Sequence, residues 1–180
     1  MRRLTHEEIS RKRHSEEELR LLRRIPLIVL LDNVRSLYNV GSIFRTSDGA
    51  RIEKLILTGY TPSPPRKGID KTALGATRTV PWEHIRDPLA AVRTLRESGL
   101  RVGILEQTTA SVPYYALRAS DFPMCLVVGN EITGVSKVIS TSADLAIDIP
   151  MYGMKQSLNV AVAYGIVAFH FVQLLRLSDS

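Results

Sequence analysis

Residues 26–32 read Pro-Leu-Ile-Val-Leu-Leu-Asp, an apolar run in which no polar residue falls at alternate positions. A strand with one wet face alternates apolar and polar side chains, so a strand lacking that alternation is covered on both faces. Such strands belong to parallel sheets packed between two helical layers. Similar runs recur at Lys54–Thr58, Arg101–Leu105, Pro123–Gly129 and Asp144–Pro150. Helical segments lie between them, one near Val40–Ala50 and one opened by Asp87-Pro88 and stopped by Gly99. The alternation predicts an α/β domain over residues 25–180, with a mostly parallel sheet and helices on both faces. Residues 60–78, rich in Pro, Gly and basic side chains, predict a long surface loop holding a short helix.

Two ends of the chain depart from this pattern. Residues 1–24 carry eight Lys/Arg and five Glu, a net +3 and so half of the chain's formal +6. Thr5-His6-Glu7-Glu8 and Ser15-Glu16-Glu17-Glu18 each place an acid three positions after a capping hydroxyl. A charged helical extension over residues 1–24 is expected. At the other end, only Asn159, Gly165 and His170 interrupt the apolar run from Leu158 to Val172. That run is shorter than the ~20 residues that span a bilayer, so it predicts a buried helix and no membrane contact.

The basic balance points to an anionic partner such as nucleic acid, the alternative being an unspecialised basic surface. Cys125 is the single cysteine and lies in the apolar run Met124–Val128, which makes it a small buried hydrophobe. One cysteine and an N-terminus charged throughout fit a cytoplasmic protein. The usual catalytic signatures are absent: no G-x-G-x-x-G after the first strand, no G-x-x-x-x-G-K-[ST] and no G-x-S-x-G. His6, His14, His84 and His170 show no metal-ligand spacing, so no metal is expected.

In parallel sheets ligands bind beyond the carboxyl ends of the strands. The stretches there are Asn33 onward, Thr58-Gly59, Glu106-Gln107, Gly129-Asn130-Glu131 and Met151–Asn159. Three polar clusters stand out. Asn39-Val-Gly-Ser-Ile-Phe-Arg45 reads as an N-cap followed by an arginine in the helix. Val128-Gly-Asn-Glu-Ile-Thr-Gly134 ends a strand on a glycine-flanked Asn-Glu, and Ser157-Leu158-Asn159 opens the closing helix.

Together the clusters resemble, in order, the three motifs of the SpoU/TrmH family of RNA ribose 2′-O-methyltransferases, in the SPOUT superfamily. The first stands as NVGSIFRTSDGA, the second as GNEITGVS and the third as AIDIPMYGMKQSLNVAVAYG, and the resemblance covers residues 27–176. It implies an α/β fold with a C-terminal deep trefoil knot, a feature that no periodicity predicts since unknotted chains are the rule. It also implies S-adenosylmethionine as cofactor and a homodimer, one side of the apolar C-terminal helix facing the sheet and the other the second subunit. By the same resemblance, backbone around Gly129, Ile149, Met151 and Leu158 holds adenine and ribose. Leu105, at the end of a neighbouring strand, is added from the sheet rule, and Gly129 is expected to let backbone approach the ligand.

The resemblance implies methyl transfer to a ribose 2′-hydroxyl, with Arg45 as base. A guanidinium stays protonated in proteins, so the milder role is to orient ribose or phosphate and stabilise developing alkoxide charge. Asn39 positions Arg45 or the RNA, while Glu131, Ser157 and Asn159 fix loops and substrate, with helix capping the alternative for Ser157. Arg11, Lys12, Arg13, Arg66, Lys67, Lys71 and Arg78 are candidate phosphate contacts, each with a solvated surface charge as its alternative. The preferred substrate is tRNA, then rRNA. The rivals are a non-catalytic RNA-binding or assembly protein on this fold, a base-directed enzyme of the superfamily and, more distantly, a dinucleotide-dependent enzyme.

Overall fold

The computed structural model describes residues 1–11 and 14–178. Seven strands form one sheet: β1 Ile25–Asp32, β2 Ile52–Thr58, β3 Trp82–Ile85, β4 Arg101–Leu105, β5 Val112–Pro113, β6 Met124–Val128 and β7 Leu145–Asp148. Their order is β3-β2-β1-β6-β4-β7-β5, and every pairing is parallel. The helices are α1 His6–Ser10, α2 Glu16–Leu21, α3 Leu37–Ala50, α4 Lys67–Ala73, α5 Pro88–Glu97, α6 Lys137–Ser140 and α7 Val160–Ser178.

The missing alternation in β1 has its expected cause. Leu27, Val29 and Leu31 pack into one core with α3, α4 and α7, whereas Ile28 and Leu30 pack into a second with α5 and the residues around α6. Adjacent β6 divides in the same way, Leu126 to the first core and Cys125 and Val127 to the second. Burial raises the Cys125 thiol to a pKa of about 12, so it stays a protonated hydrophobe.

Both predicted capping boxes form: Thr5 Oγ1 accepts from the Glu8 N–H at 3.2 Å, and Ser15 Oγ from the Glu18 N–H at 3.1 Å. The extension reaches the domain through Glu16, 3.2 Å from Arg78 Nε. Next to it, Arg24 donates to the carbonyls of Ile52 and Thr79.

Several features depart from the sequence reading or go beyond it. β3 and β5 escape sequence reading because one has four residues and the other two, both at sheet edges. Pro113 is tolerated in β5 because an edge strand need not donate from every position. The cap of α3 is Ser36, whose Oγ accepts from the Asn39 N–H at 3.3 Å, so Asn39 lies inside the first turn. Gly41 permits close packing of α3 on α4, since a Cβ there would lie 2.3 Å from the Ile69 carbonyl oxygen. A Cβ on Gly165 would meet only Thr46 Cγ2, at an ordinary 3.9 Å. Instead, α7 is fixed to α3 by a buried hydrogen bond of 2.8 Å between Ser47 Oγ and the Tyr164 hydroxyl.

Candidate active site

The loop leaving β6 is built by its own backbone. Asn130 and Gly134 exchange N–H to carbonyl bonds, both 3.0 Å, and Gly134 turns the chain at φ +68°. The turn lies directly on Gly129, where a Cβ would sit 2.2 Å from the Gly134 carbonyl carbon. Glycine at 129 is therefore required by the folded loop itself. Two carboxylates from neighbouring strand ends clamp the loop. Glu106, after β4, accepts from the Val135 N–H at 3.1 Å, and Asp32, ending β1 and 1% exposed, accepts from the Ser136 N–H at 2.7 Å.

This loop carries Glu131 to the start of α3. Its carboxylate accepts from the N–H groups of Arg35 and Ser36, both at 2.9 Å, and from Asn39 Nδ2 at 2.8 Å. Partial burial raises the Glu131 pKa, but these donors outweigh it and hold the carboxyl below its ordinary range. Helix N-terminal N–H groups favour a negative charge at this position. Asn39 continues the chain of bonds: its Oδ1 accepts from Asn159 Nδ2 at 3.1 Å. Asn159 Oδ1 in turn accepts from the Ala161 N–H at 2.9 Å and caps α7. Glu131, Asn39 and Asn159, one from each sequence cluster, thus form a continuous relay.

Beside the relay, a cavity of about 610 Å³ opens at the carboxyl ends of β4, β6 and β7. All five residues expected to hold a ligand, Leu105, Gly129, Ile149, Met151 and Leu158, line it, as do Glu131, Ser157 and Asn159. Its wall mixes apolar side chains such as Val128 and Ile147 with the polar Gln107, whose Nε2 donates to the Gln156 carbonyl at 2.7 Å. Among the described residues, the N–H groups of Ile149, Met151 and Leu158 have no protein hydrogen-bond partner. An apolar slot edged with unused backbone donors suits a planar heteroaromatic ligand.

Not every candidate joins this centre. Arg45 is exposed on α3, about 9 Å along the axis from Asn39, and has no polar partner among the described residues. Ser157 lines the cavity but caps nothing, since Asn159 takes that role. Of the candidate RNA contacts, Arg11 pairs with Glu7 at 2.6 Å and Arg78 with Glu16, while Lys71 Nζ lies 5.9 Å from the centre of the Tyr38 ring. Arg66 and Lys67 are exposed without polar partners among the described residues, and Lys12 and Arg13 lie outside those residues. Asp32, Glu106 and Asn130 were not among the candidate site residues, yet they anchor the loop; Asn130 stands in the second motif, while Asp32 and Glu106 are marked only by following an apolar run at a strand end. Among the described residues no group of three metal-ligating side chains gathers, and no helix is long and apolar enough to cross a membrane.

Sheet, cavity and relay define an α/β protein with a polar-edged cavity at the carboxyl edge of a parallel sheet. The chain belongs to the SpoU rRNA Methylase family, which it matches over residues 26–169. It is 32% identical over 149 residues to the 23S rRNA (guanosine-2′-O-)-methyltransferase RlmB of Vibrio parahaemolyticus, covering 82% of this chain and 59% of that protein. Over 163 residues it is 35% identical to the tRNA (guanosine(18)-2′-O)-methyltransferase of Aquifex aeolicus, covering 86% and 75%. Among solved structures, the A. aeolicus TrmH/SpoU tRNA modifying enzyme superposes with a TM-score of 0.78 at 31% identity, over 91% of this chain and 85% of that one. The AdoMet-bound rRNA methyltransferase of Sinorhizobium meliloti gives 0.77 at 29% identity, over 86% and 59%. The chain spans 59% of the length of the Vibrio rRNA methyltransferases that it matches.

Proposed function

We propose that this chain is an S-adenosylmethionine-dependent RNA methyltransferase that methylates a ribose 2′-hydroxyl, with tRNA preferred over rRNA. The observation that carries the reading is the Glu131–Asn39–Asn159 relay at the mouth of the cavity. The cavity residues fit the cofactor: apolar Leu105, Ile147, Ile149 and Leu158 suit the adenine, and the unused N–H groups of Ile149, Met151 and Leu158 suit its ring nitrogens. S-adenosylmethionine, when bound, would supply an activated methyl group on sulfonium for the ribose 2′-oxygen, and the hydroxyl proton would pass to solvent water.

The protein's tasks are then alignment and charge stabilisation. Glu131, held ionised by three N–H donors, fixes the start of α3 and the orientation of the Asn39 amide. Asn39 and Asn159 lock the two loops that border the reacting oxygen. Arg45 supplies a permanent positive charge for the ribose or an adjacent phosphate. The tRNA preference rests on the longer and more identical match to the relative named for tRNA. A homodimer through α7 and a cytoplasmic location complete the proposal.

The knot belongs to the same reading. From β7, next to β4 in the sheet, the chain returns to pack α7 on α3, and residues 156–160 on that return line the same cavity as the loop that Asp32 and Glu106 clamp. A crystal structure with the segment after β7 outside that loop would refute the knot.

The test of activity is transfer of labelled methyl from S-adenosylmethionine to separated unmodified tRNA and rRNA pools. Label in the tRNA pool is expected, with loss of at least about a hundredfold in rate for Arg45→Ala and cofactor binding retained by calorimetry. No label in either pool, or full turnover by Arg45→Ala, would defeat the catalytic assignment.

A further inference from the structure

A second depression, of about 520 Å³, lies on the other side of the β6 loop, between the end of β2 and the start of α3. Arg35, Tyr60, Ser63, Arg66 and His84 contribute its polar lining, and no carboxylate is among the lining residues described. It shares no lining residue with the larger cavity.

Its chemistry is specific. Arg35 and Arg66 are both exposed, and neither side chain has a polar partner among the described residues. Arg35 nevertheless has a fixed backbone, because Glu131 accepts its N–H. Tyr60 is 62% exposed yet held at both ends: its N–H donates to Asn33 Oδ1 at 3.2 Å, and its hydroxyl accepts from Asn130 Nδ2 at 2.9 Å. An open aromatic face with its hydroxyl tied down is pre-ordered for stacking, and stacking on such rings is how proteins hold unpaired bases. The tie runs to Asn130, a wall residue of the larger cavity, so the two sites share a structural joint.

We propose that this depression is a nucleotide subsite for single-stranded RNA, holding a residue near the one methylated. An unpaired base stacks on Tyr60 while Arg35 and Arg66 take flanking phosphates. The inference rests on the RNA reading above and adds a place where substrate outside the reacting ribose is held. A pocket of this volume accommodates one nucleotide. Two unpaired guanidiniums without a competing acid favour a phosphodiester over a neutral ligand.

The test measures binding of a fluorescein-labelled, mixed-sequence 12-nucleotide RNA by anisotropy over a salt series. The proteins are the wild type, Tyr60→Phe, Tyr60→Ala and the double variant Arg35→Gln/Arg66→Gln, each checked for an unchanged melting temperature. Tyr60→Ala is expected to weaken binding roughly 5- to 100-fold, and Tyr60→Phe, which keeps the ring, to recover most of it. The double variant is expected to lower the slope of log Kd against log salt by about 1.4, from two lost single-strand phosphate contacts. S-adenosylmethionine binding, measured in parallel, stays at the wild-type value in the double variant, whose two side chains line only the second depression. Wild-type affinity and slope in both Tyr60→Ala and the double variant overturn the subsite, as does failure of the wild type to bind the RNA. Absence of methyl transfer alongside Tyr60-dependent binding would remove the catalytic reading and leave the subsite standing.

Discussion

Glu131 shows how one side chain links fold and site. Its carboxyl lies below the ordinary range because donors from Arg35, Ser36 and Asn39 outweigh the effect of burial. A carboxylate depressed in the folded state stabilises fully above its unfolded pKa, about 4.3 for glutamate, and loses that contribution as pH falls through the folded value. Glu131→Gln is therefore expected to melt below the wild type at pH 7, with the gap constant down to about pH 5 and closing in more acidic solution. A gap independent of pH would mean that the charge contributes nothing. Gly129 offers a harder constraint. Its Cβ would lie 2.2 Å from backbone, not from a side chain that could move aside. Gly129→Ala should cost about 1–3 kcal/mol, read as a lowered denaturant midpoint. The packing turn at Gly134 and Val135 that sets this constraint was not legible in the sequence, because it follows from the three-dimensional closure of the loop.

At the scale of elements, legibility tracks burial and length. The central strands β1, β2 and β6 were readable because apolar runs without alternation have one physical explanation. β3 and β5 were not, since a short edge strand leaves almost no periodic signal. The start of α3 was misplaced because Ser36 and Asn39 are both good caps on local grounds. What decides between them is Glu131, more than ninety positions away, which takes the Asn39 amide. Ser36→Ala is accordingly expected to cost about 1 kcal/mol. It should also loosen the Glu131 anchor, read as faster amide exchange at Asn39 and Val40. Unchanged exchange there would show that Glu131 alone fixes the helix start. The relay was legible only as three separate motifs. Its bonds join residues 92 and 120 positions apart, which no local pattern encodes.

At the scale of the whole molecule, α7 leaves an apolar face uncovered among the described residues. Along α7, Val162, Ile166 and Phe169 are 52%, 38% and 52% exposed, while Tyr164, Val167, Ala168 and Phe171 on the opposite side are fully buried. Positions 162, 166 and 169 fall on one helical stripe, so the exposure is a continuous face. A second subunit seated on that face would complete the burial that the apolar sequence of the helix demands. Phe169→Glu places a charge on the stripe and should yield a monomer by light scattering at micromolar concentration, with the far-ultraviolet spectrum unchanged. Retention of the wild-type mass would exclude α7 as the contact. The same helix begins at the Asn159 cap, whose amide closes the relay with Asn39. Loss of the subunit contact would thus free the element that holds one end of the site. Methyl transfer by Phe169→Glu should fall with its assembly state, while Gln173→Glu, a change at a polar position of the same helix, should fall less in both.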